Sequence, residues 1–218
     1  MIVHNVQGVI VIGSGGHSRS VAEAAASSGF SVLALYGLEE GDSGRGYEAL
    51  IESLSNIDFA STELCLGVGT NFLRNSVHDR IRDMYPRVKF STIVHSSAWV
   101  SPSAQVASGA VILAHSSVGA NAIMGVGSLL NTGSSLDHDS ELCAFASLGP
   151  GARTGGNSRI GKRSMIGLQS GILHGRTVGE DTVVGGQSLV TKDIPGLRVA
   201  MGTPCEVTRH RKQDEKYY

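Results

Sequence analysis

The sequence predicts two architectures in one chain. Residues 1–90 form a small α/β domain with a parallel Rossmann-like sheet, and residues 91–218 form a parallel β-helix of hexapeptide repeats with a C-terminal tail. Three observations predict this. An aliphatic residue recurs every six positions from Val94 through Val100, Val106 and Ile112 to Val190, and of these 17 positions only Thr154 is polar. Four residues after each, from Ala98 to Ser188, the residue is small at 15 of 16 places, the exception being Arg176. A six-residue period fits neither a helix nor a series of hairpins, and hexapeptide self-similarity marks a β-solenoid. Before residue 90, by contrast, apolar strand patterns alternate with helical ones, the order that gives a parallel sheet covered by helices.

Taken in order, Val9 to Ile12 is an apolar strand ending at Gly13-Ser14-Gly15-Gly16. His17 to Ser28 reads as a helix closed by Gly29, Phe30 to Leu35 as a second strand and Tyr47 to Leu54 as a short helix. Leu64 to Val68 is a third strand, and Asn71 to Met84 a helix stopped by Pro86. Val88 to Val94 extends the chain into the repeats, which run from about Ile93 to Ile194. At three hexapeptides per triangular coil, 17 repeats make between five and six coils, and the unbroken phase leaves no long loop. The α/β domain caps one open end; the Pro195-Gly196 turn and the tail cap or flank the other.

Composition excludes several functions. A net charge of -1 across 218 residues lacks the basic surface that nucleic acid requires. Three widely spaced cysteines, Cys65, Cys143 and Cys205, form neither a metal pair nor a disulfide framework, which fits a cytoplasmic protein. The N-terminus lacks the basic region of a signal peptide, and no stretch has the length and apolarity of a membrane span. No His pair has metal-ligand spacing with a carboxylate or Cys, so no metal is expected. The run Arg209-His210-Arg211-Lys212 reads as a solvated tail.

Chemistry concentrates in two places. The loop Gly13 to Gly16 ends a strand and opens a helix, where backbone N–H groups favour an anion. The dinucleotide fingerprint is not met: Ser18 stands at the third glycine position, and Tyr36-Gly37 rather than an acid follows the second strand. The loop fits either the diphosphate of another nucleotide or a plain tight βα turn, with His17 either donating to the anion or packing. The second place is His138, two residues after the inward Leu136 and flanked by Asp137 and Asp139. A carboxylate beside an imidazole sets its tautomer and raises its basicity, as a general base requires, although an exposed His with acidic neighbours is also a common surface feature. His174 stands 36 residues later in the same column, two coils or roughly 10 Å away. It reads as a surface residue, with a second-site or cofactor-contact role as the alternative; His95 and His115 read as surface residues, and His4, His78 and His210 as solvated.

On the strings Ile12-Gly-Ser-Gly-Gly-His17, Gly67-Val-Gly-Thr-Asn-Phe-Leu-Arg74, Asn131 to Asp139 and Gly202-Thr-Pro204, nearly the whole chain resembles the bacterial sugar acetyltransferases. The resemblance is to the sialic-acid O-acetyltransferase type, close to the nucleotide-4-amino-sugar N-acetyltransferases of surface-glycan biosynthesis. It implies a left-handed β-helix, a homotrimer, and acetyl-CoA lying along the helix where two subunits meet. It implies that His138 is the catalytic base with Asp139 as its partner. Gly13, Ser14, Gly15, Gly16 and His17 are implied to bind the nucleotide portion of the sugar, with Gly69 and Asn131 near the same ligand. Ser147, Leu168 and Gly186 are implied to contact acetyl-CoA. The favoured acceptor is a UDP-4-amino-4,6-dideoxy sugar; O-acetylation, a GDP or dTDP carrier, and a non-catalytic nucleotide-sugar-binding scaffold are the alternatives. Three positions depart from the family pattern: Ser147 replaces a frequent second His, Tyr36-Gly37 replaces acids, and Glu141-Leu-Cys143 replaces a glycine-containing turn.

Overall fold

The computed structural model describes residues 8–37, 50 and 52–217. Its first apolar run is the middle strand of a three-stranded parallel sheet: β1 (Gly8–Ile12) lies between β2 (Val32–Tyr36) and β3 (Thr62–Leu66). Every residue of β1 is buried, as a parallel strand covered on both faces must be. Side chains alternate across it. Val9 and Val11 meet Val21, Ala24 and Ala25 of α1 (Gly16–Ser27). Ile10 and Ile12 meet Val77 and Ile81 of α2 (Asn71–Met84). The helix expected over Tyr47 to Leu54 lies largely outside the described residues. The expected Val88–Val94 strand is reduced to a parallel bridge between Leu64 and Phe90, after which the coils begin.

Seventeen two-residue strands follow, β4 (Ile93–Val94) through β20 (Leu189–Val190), and they sort into three parallel sheets, the faces of a left-handed β-helix: the first face starts with β4, the second with β5 (Trp99–Val100) and the third with β6 (Gln105–Val106). Leu130, Leu136, Leu142, Leu148, Ile160 and Ile166 point into the prism and are fully buried. The corners explain the second sequence pattern. From Gly109 onward the residue before each of these positions takes a left-handed conformation, for example Asn121, Asp139 and Asn157 at φ 57, 55 and 56°. Asn, Asp and Gly tolerate that region best. The small residue then packs under the turn, and several of the serines there also satisfy carbonyls: Ser158 Oγ donates to Gly155 O at 2.8 Å and to Leu173 O at 3.2 Å, whereas the Ser128 and Ser134 hydroxyls are buried without a partner among the described residues.

The coil changes step at its end. Val178 bridges to Ile194 and Val184 pairs with Ala200, sixteen residues on rather than the eighteen of the earlier coils. β21 (Arg198–Met201) therefore joins the first face, and β22 (Glu206–His210) folds back on it antiparallel. The basic run is not uniformly solvated. Arg211 is buried and donates to the Asp181 carbonyl at 2.7 Å, and Tyr217 beyond it accepts the Asn71 N–H at 3.0 Å. The tail thus returns to the α/β domain.

That domain sits on one side of the prism. Ile93, Val111 and Leu129 on the first face, with Leu113 at its edge, join the α1 core, and Phe145 at the corner between third and first faces joins the α2 core. His78 is buried there rather than solvated. Its ring lies 4.6 Å from Phe90 and 5.1 Å from Phe145, centroid to centroid, because the docked coil covers that side of α2. Arg163 and Asp181, a two-pronged ion pair at the same corner, reach α2 through Asn75 Oδ1 at 3.2 Å.

Candidate active site

His138 stands at the opposite corner, between the second and third faces, directly after β11 (Ser135–Leu136). Its Nδ1 lies 2.8 Å from Asp139 Oδ2, and the other carboxylate oxygen accepts from Asn121 Nδ2 at 3.2 Å. A carboxylate only accepts, so Nδ1 carries the proton and Nε2 keeps its lone pair. The bond to Asp139, then the charge of Asp137, hold the imidazole pKa above its usual 6.5. The bonds from His138 and Asn121 hold Asp139 below the ordinary carboxylate range. Both side chains are open to solvent, 59% and 52% exposed. The ring rests on the next coil at Gly156, where a Cβ would fall 2.4 Å from Nε2. Among the described residues the Gly156 N–H donates to nothing.

The second constellation lies on the α/β domain. Gly13 turns at φ +129°, and a side chain there would strike the Gly67 carbonyl at 2.8 Å, so the first loop lies against the second. Ser18, at the third glycine position, is buried and donates to Gly67 O at 2.9 Å, tying the loops where a glycine could not. Ser14, Gly15 and Gly16 are exposed at the start of α1, which has no side-chain cap. Its first N–H groups and positive dipole end therefore face outward. His17 Nε2 is buried without a partner, and burial, reinforced by the Arg74 charge, lowers the His17 pKa to about 4. His17 is thus neutral at physiological pH. Between pH 6.5 and about 4 the unfolded chain binds a proton there that the folded chain refuses, so stability falls as pH falls through that window. Melting temperatures across it are expected to drop less steeply in His17→Gln than in the parent; parallel curves would refute the buried neutral imidazole.

Gly69 belongs to the second loop, and its carbonyl accepts from Arg74 Nη1 at 2.9 Å. Asn131, Leu168 and Gly186 share the corner between first and second faces. A side chain on Gly186 would meet the Leu168 carbonyl at 3.2 Å, so the bare backbone of one coil borders the exposed Leu168 of the coil before it. Ser147 is not on that edge. It points outward from the first face beneath the α/β domain, 1% exposed, its Oγ donating to Asn71 Oδ1 at 2.6 Å and accepting from Arg74 Nη2 at 2.9 Å. The structure therefore joins His138 to Asp139, Leu168 to Gly186, and the glycine loop to Gly67. It does not bring the glycine loop to His138, because the α/β domain covers the first face and His138 occupies the corner opposite.

Sequence reasoning missed Asn121, Gly156, Arg74 and Asn71. The first two could have been found from the eighteen-residue coil step, which places Asn121 above Asp139 and Gly156 below His138. The last two act across the domain contact and carry no periodic signal. Among the described residues no group of three or more His, Cys, Asp or Glu could hold a metal ion, and no helix is long and apolar enough to cross a membrane.

Residues 8–81 match the family described as the PglD N-terminal domain. A variant of GDP-perosamine N-acetyltransferase from Caulobacter crescentus, solved with CoA and GDP-perosamine, superposes with a TM-score of 0.83 at 28% identity, over 93% of this chain and 97% of that one. The acetyltransferase domain of PglB from Neisseria gonorrhoeae, solved with acetyl coenzyme A, gives 0.82 at 30% identity, over 93% and 100%. Galactoside O-acetyltransferase from Escherichia coli (strain K12) is 48% identical over 44 residues, 20% of this chain, and the match spans only 22% of that protein's length.

Proposed function

Because the chain belongs to the hexapeptide-repeat sugar acetyltransferases of the nucleotide-amino-sugar N-acetyltransferase type, we propose that it acetylates the amino group of a nucleotide-linked 4-amino sugar, with His138 as general base. It is an acetyl-CoA-dependent acyltransferase. The observation that carries the residue assignment is the Asn121–Asp139–His138 chain, which leaves Nε2 free and basic at an open corner. The uncharged sugar amine attacks the thioester carbonyl while Nε2 takes its proton. The new N–C bond forms, the C–S bond breaks, and coenzyme A leaves as the thiol. The unpartnered Gly156 N–H, against the imidazole, is the donor for the developing oxyanion. No cysteine is required: burial pushes the Cys65 thiol up to about 12, and burial with the neighbouring Glu141 does the same to Cys143.

The residues fit the co-substrate. The exposed Leu168 and side-chain-free Gly186 offer an apolar, unobstructed edge for an extended acyl carrier, and the glycine loop with the start of α1 suits the diphosphate of a nucleotide sugar. Because that loop and His138 lie on opposite sides of one prism, the reading requires a second copy to bring them together, and a cytoplasmic homotrimer is the proposed assembly. The favoured carrier is UDP; GDP or dTDP carriers and a hydroxyl acceptor use the same base. The test is release of free thiol from acetyl-CoA, with mass spectrometry of the product, on UDP-, GDP- and dTDP-4-amino sugars and on free sialic acid. N-acetylation of a nucleotide amino sugar is expected. Acetylation of free sugar hydroxyls alone would replace this reading, and binding without thiol release would make the protein a scaffold.

A further inference from the structure

Thr154 is the one polar residue in the inward series, and it lies beneath the catalytic corner. It is 7% exposed, and a buried hydroxyl among aliphatic side chains is costly unless hydrogen-bonded. Its partner is unusual. Elsewhere in this column the residue after the inward position donates its N–H to the carbonyl one coil on: Gly119 to Leu136 O at 2.7 Å and Gly155 to Ile172 O at 2.8 Å. Asp137 instead donates to the Thr154 hydroxyl, at 3.0 Å. The ladder records the change. β11 and β14 (Arg153–Thr154) register only at Ser135 and Arg153, whereas the steps before and after on the same face each register at two residues. The irregularity is confined to the single step that carries the His138 turn.

From there the contacts run without a gap. The Asp137 side chain accepts the His138 N–H at 2.8 Å, the His138 ring donates to Asp139 at 2.8 Å, and the His138 carbonyl accepts the Asn157 N–H at 2.9 Å. We propose that Thr154 is a positioning residue for the base: by taking the Asp137 N–H in place of its own carbonyl, its hydroxyl sets the height and tilt at which His138 leaves the coil and meets Gly156. The inference rests on the assignment of His138 above. An aliphatic residue at 154 would complete the inward series and restore the regular ladder, and would move the turn that carries the base.

Thr154→Val and Thr154→Ser separate this from a packing role. Thr154→Val keeps the shape and removes the acceptor. It is expected to lower kcat on the order of 10- to 10²-fold, with the KM for acetyl-CoA and the melting temperature held or raised. It is also expected to move the titration of the His138 ring followed by NMR in the ligand-free protein. The charged groups acting on that ring are Asp137 and Asp139 of its own turn; the preceding coil contributes Asn121 and the following one Gly156, both uncharged. Thr154→Ser keeps the acceptor and is expected to retain kcat within about threefold even if it melts earlier. Parental kcat in Thr154→Val, or equal losses in both variants, overturns the proposal. His138→Ala is run beside them: if it keeps full turnover, the base assignment fails, and the His138 ring titration in Thr154→Val then decides by itself whether Thr154 sets that turn.

Discussion

Replacing His138 by alanine is expected to lower kcat/KM by about 10²- to 10⁴-fold, the usual contribution of a general base, with no change in melting temperature. The side chain is exposed, resting on Gly156 and bonded to Asp139, so its removal leaves no cavity. The pH profile identifies the group. A base works unprotonated, so kcat/KM rises with pH through the His138 pKa, and the Asp139 bond and Asp137 charge place that limb above the ordinary imidazole value of 6.5. Asp139→Asn removes the hydrogen-bonded carboxylate, the larger of those two influences. The limb is expected to move toward lower pH while the plateau falls, because an amide no longer selects the tautomer with a free Nε2. A plateau unchanged in His138→Ala, or a limb unmoved in Asp139→Asn, would remove His138 from the base role.

The parts of this site that follow a period were legible in the sequence. The six-residue series located His138 at a corner, and the left-handed conformation required one residue later explains why an Asp is stable beside it: the same position holds Asn121, Asp139 and Asn157 in successive coils. The series also isolated Thr154, although a sequence alone does not reveal that its hydroxyl displaces a carbonyl. What was not legible depends on contacts between distant segments. His78 looked solvated by its polar surroundings in sequence, yet Phe90 and Phe145 enclose it only once the coil docks on α2. Arg211 reads as part of a basic tail until the tail is seen to run back over Asp181. Ser147 falls in the strand position that the resemblance associates with acetyl-CoA, and only the docked α/β domain reveals that its hydroxyl is engaged by Asn71 and Arg74.

Arg74 is expected to give the largest stability change of any single substitution in the domain contact. It is 1% exposed, and among the described residues its guanidinium donates to the carbonyls of Val68, Gly69, Gly127 and Phe145, at 2.8–3.0 Å, and to Asn71 Oδ1 and Ser147 Oγ. Two of those carbonyls belong to the loop after β3 and two to coil corners, so one side chain joins the halves of the protein. Arg74→Leu fills much of the volume but strands the acceptors. Each buried acceptor left unpaired costs about 1–3 kcal/mol, and partial relaxation brings the expected total to about 3–5 kcal/mol. For a chain of this length that is a fall in melting temperature on the order of 10 °C. Arg74→Lys keeps a charge but lacks the planar five-donor fork that spans both loops, and is expected to lie close to Arg74→Leu rather than to the parent. Two further readouts distinguish loss of this hub from general loosening. The His17 pKa should rise, since the Arg74 charge helps to lower it. The KM for the nucleotide sugar should rise while that for acetyl-CoA holds, because the Gly69 loop loses its donor and the Leu168–Gly186 edge does not. Destabilisation below about 1 kcal/mol would mean that water takes over these carbonyls and that the α/β domain is held to the coils by its apolar contacts instead.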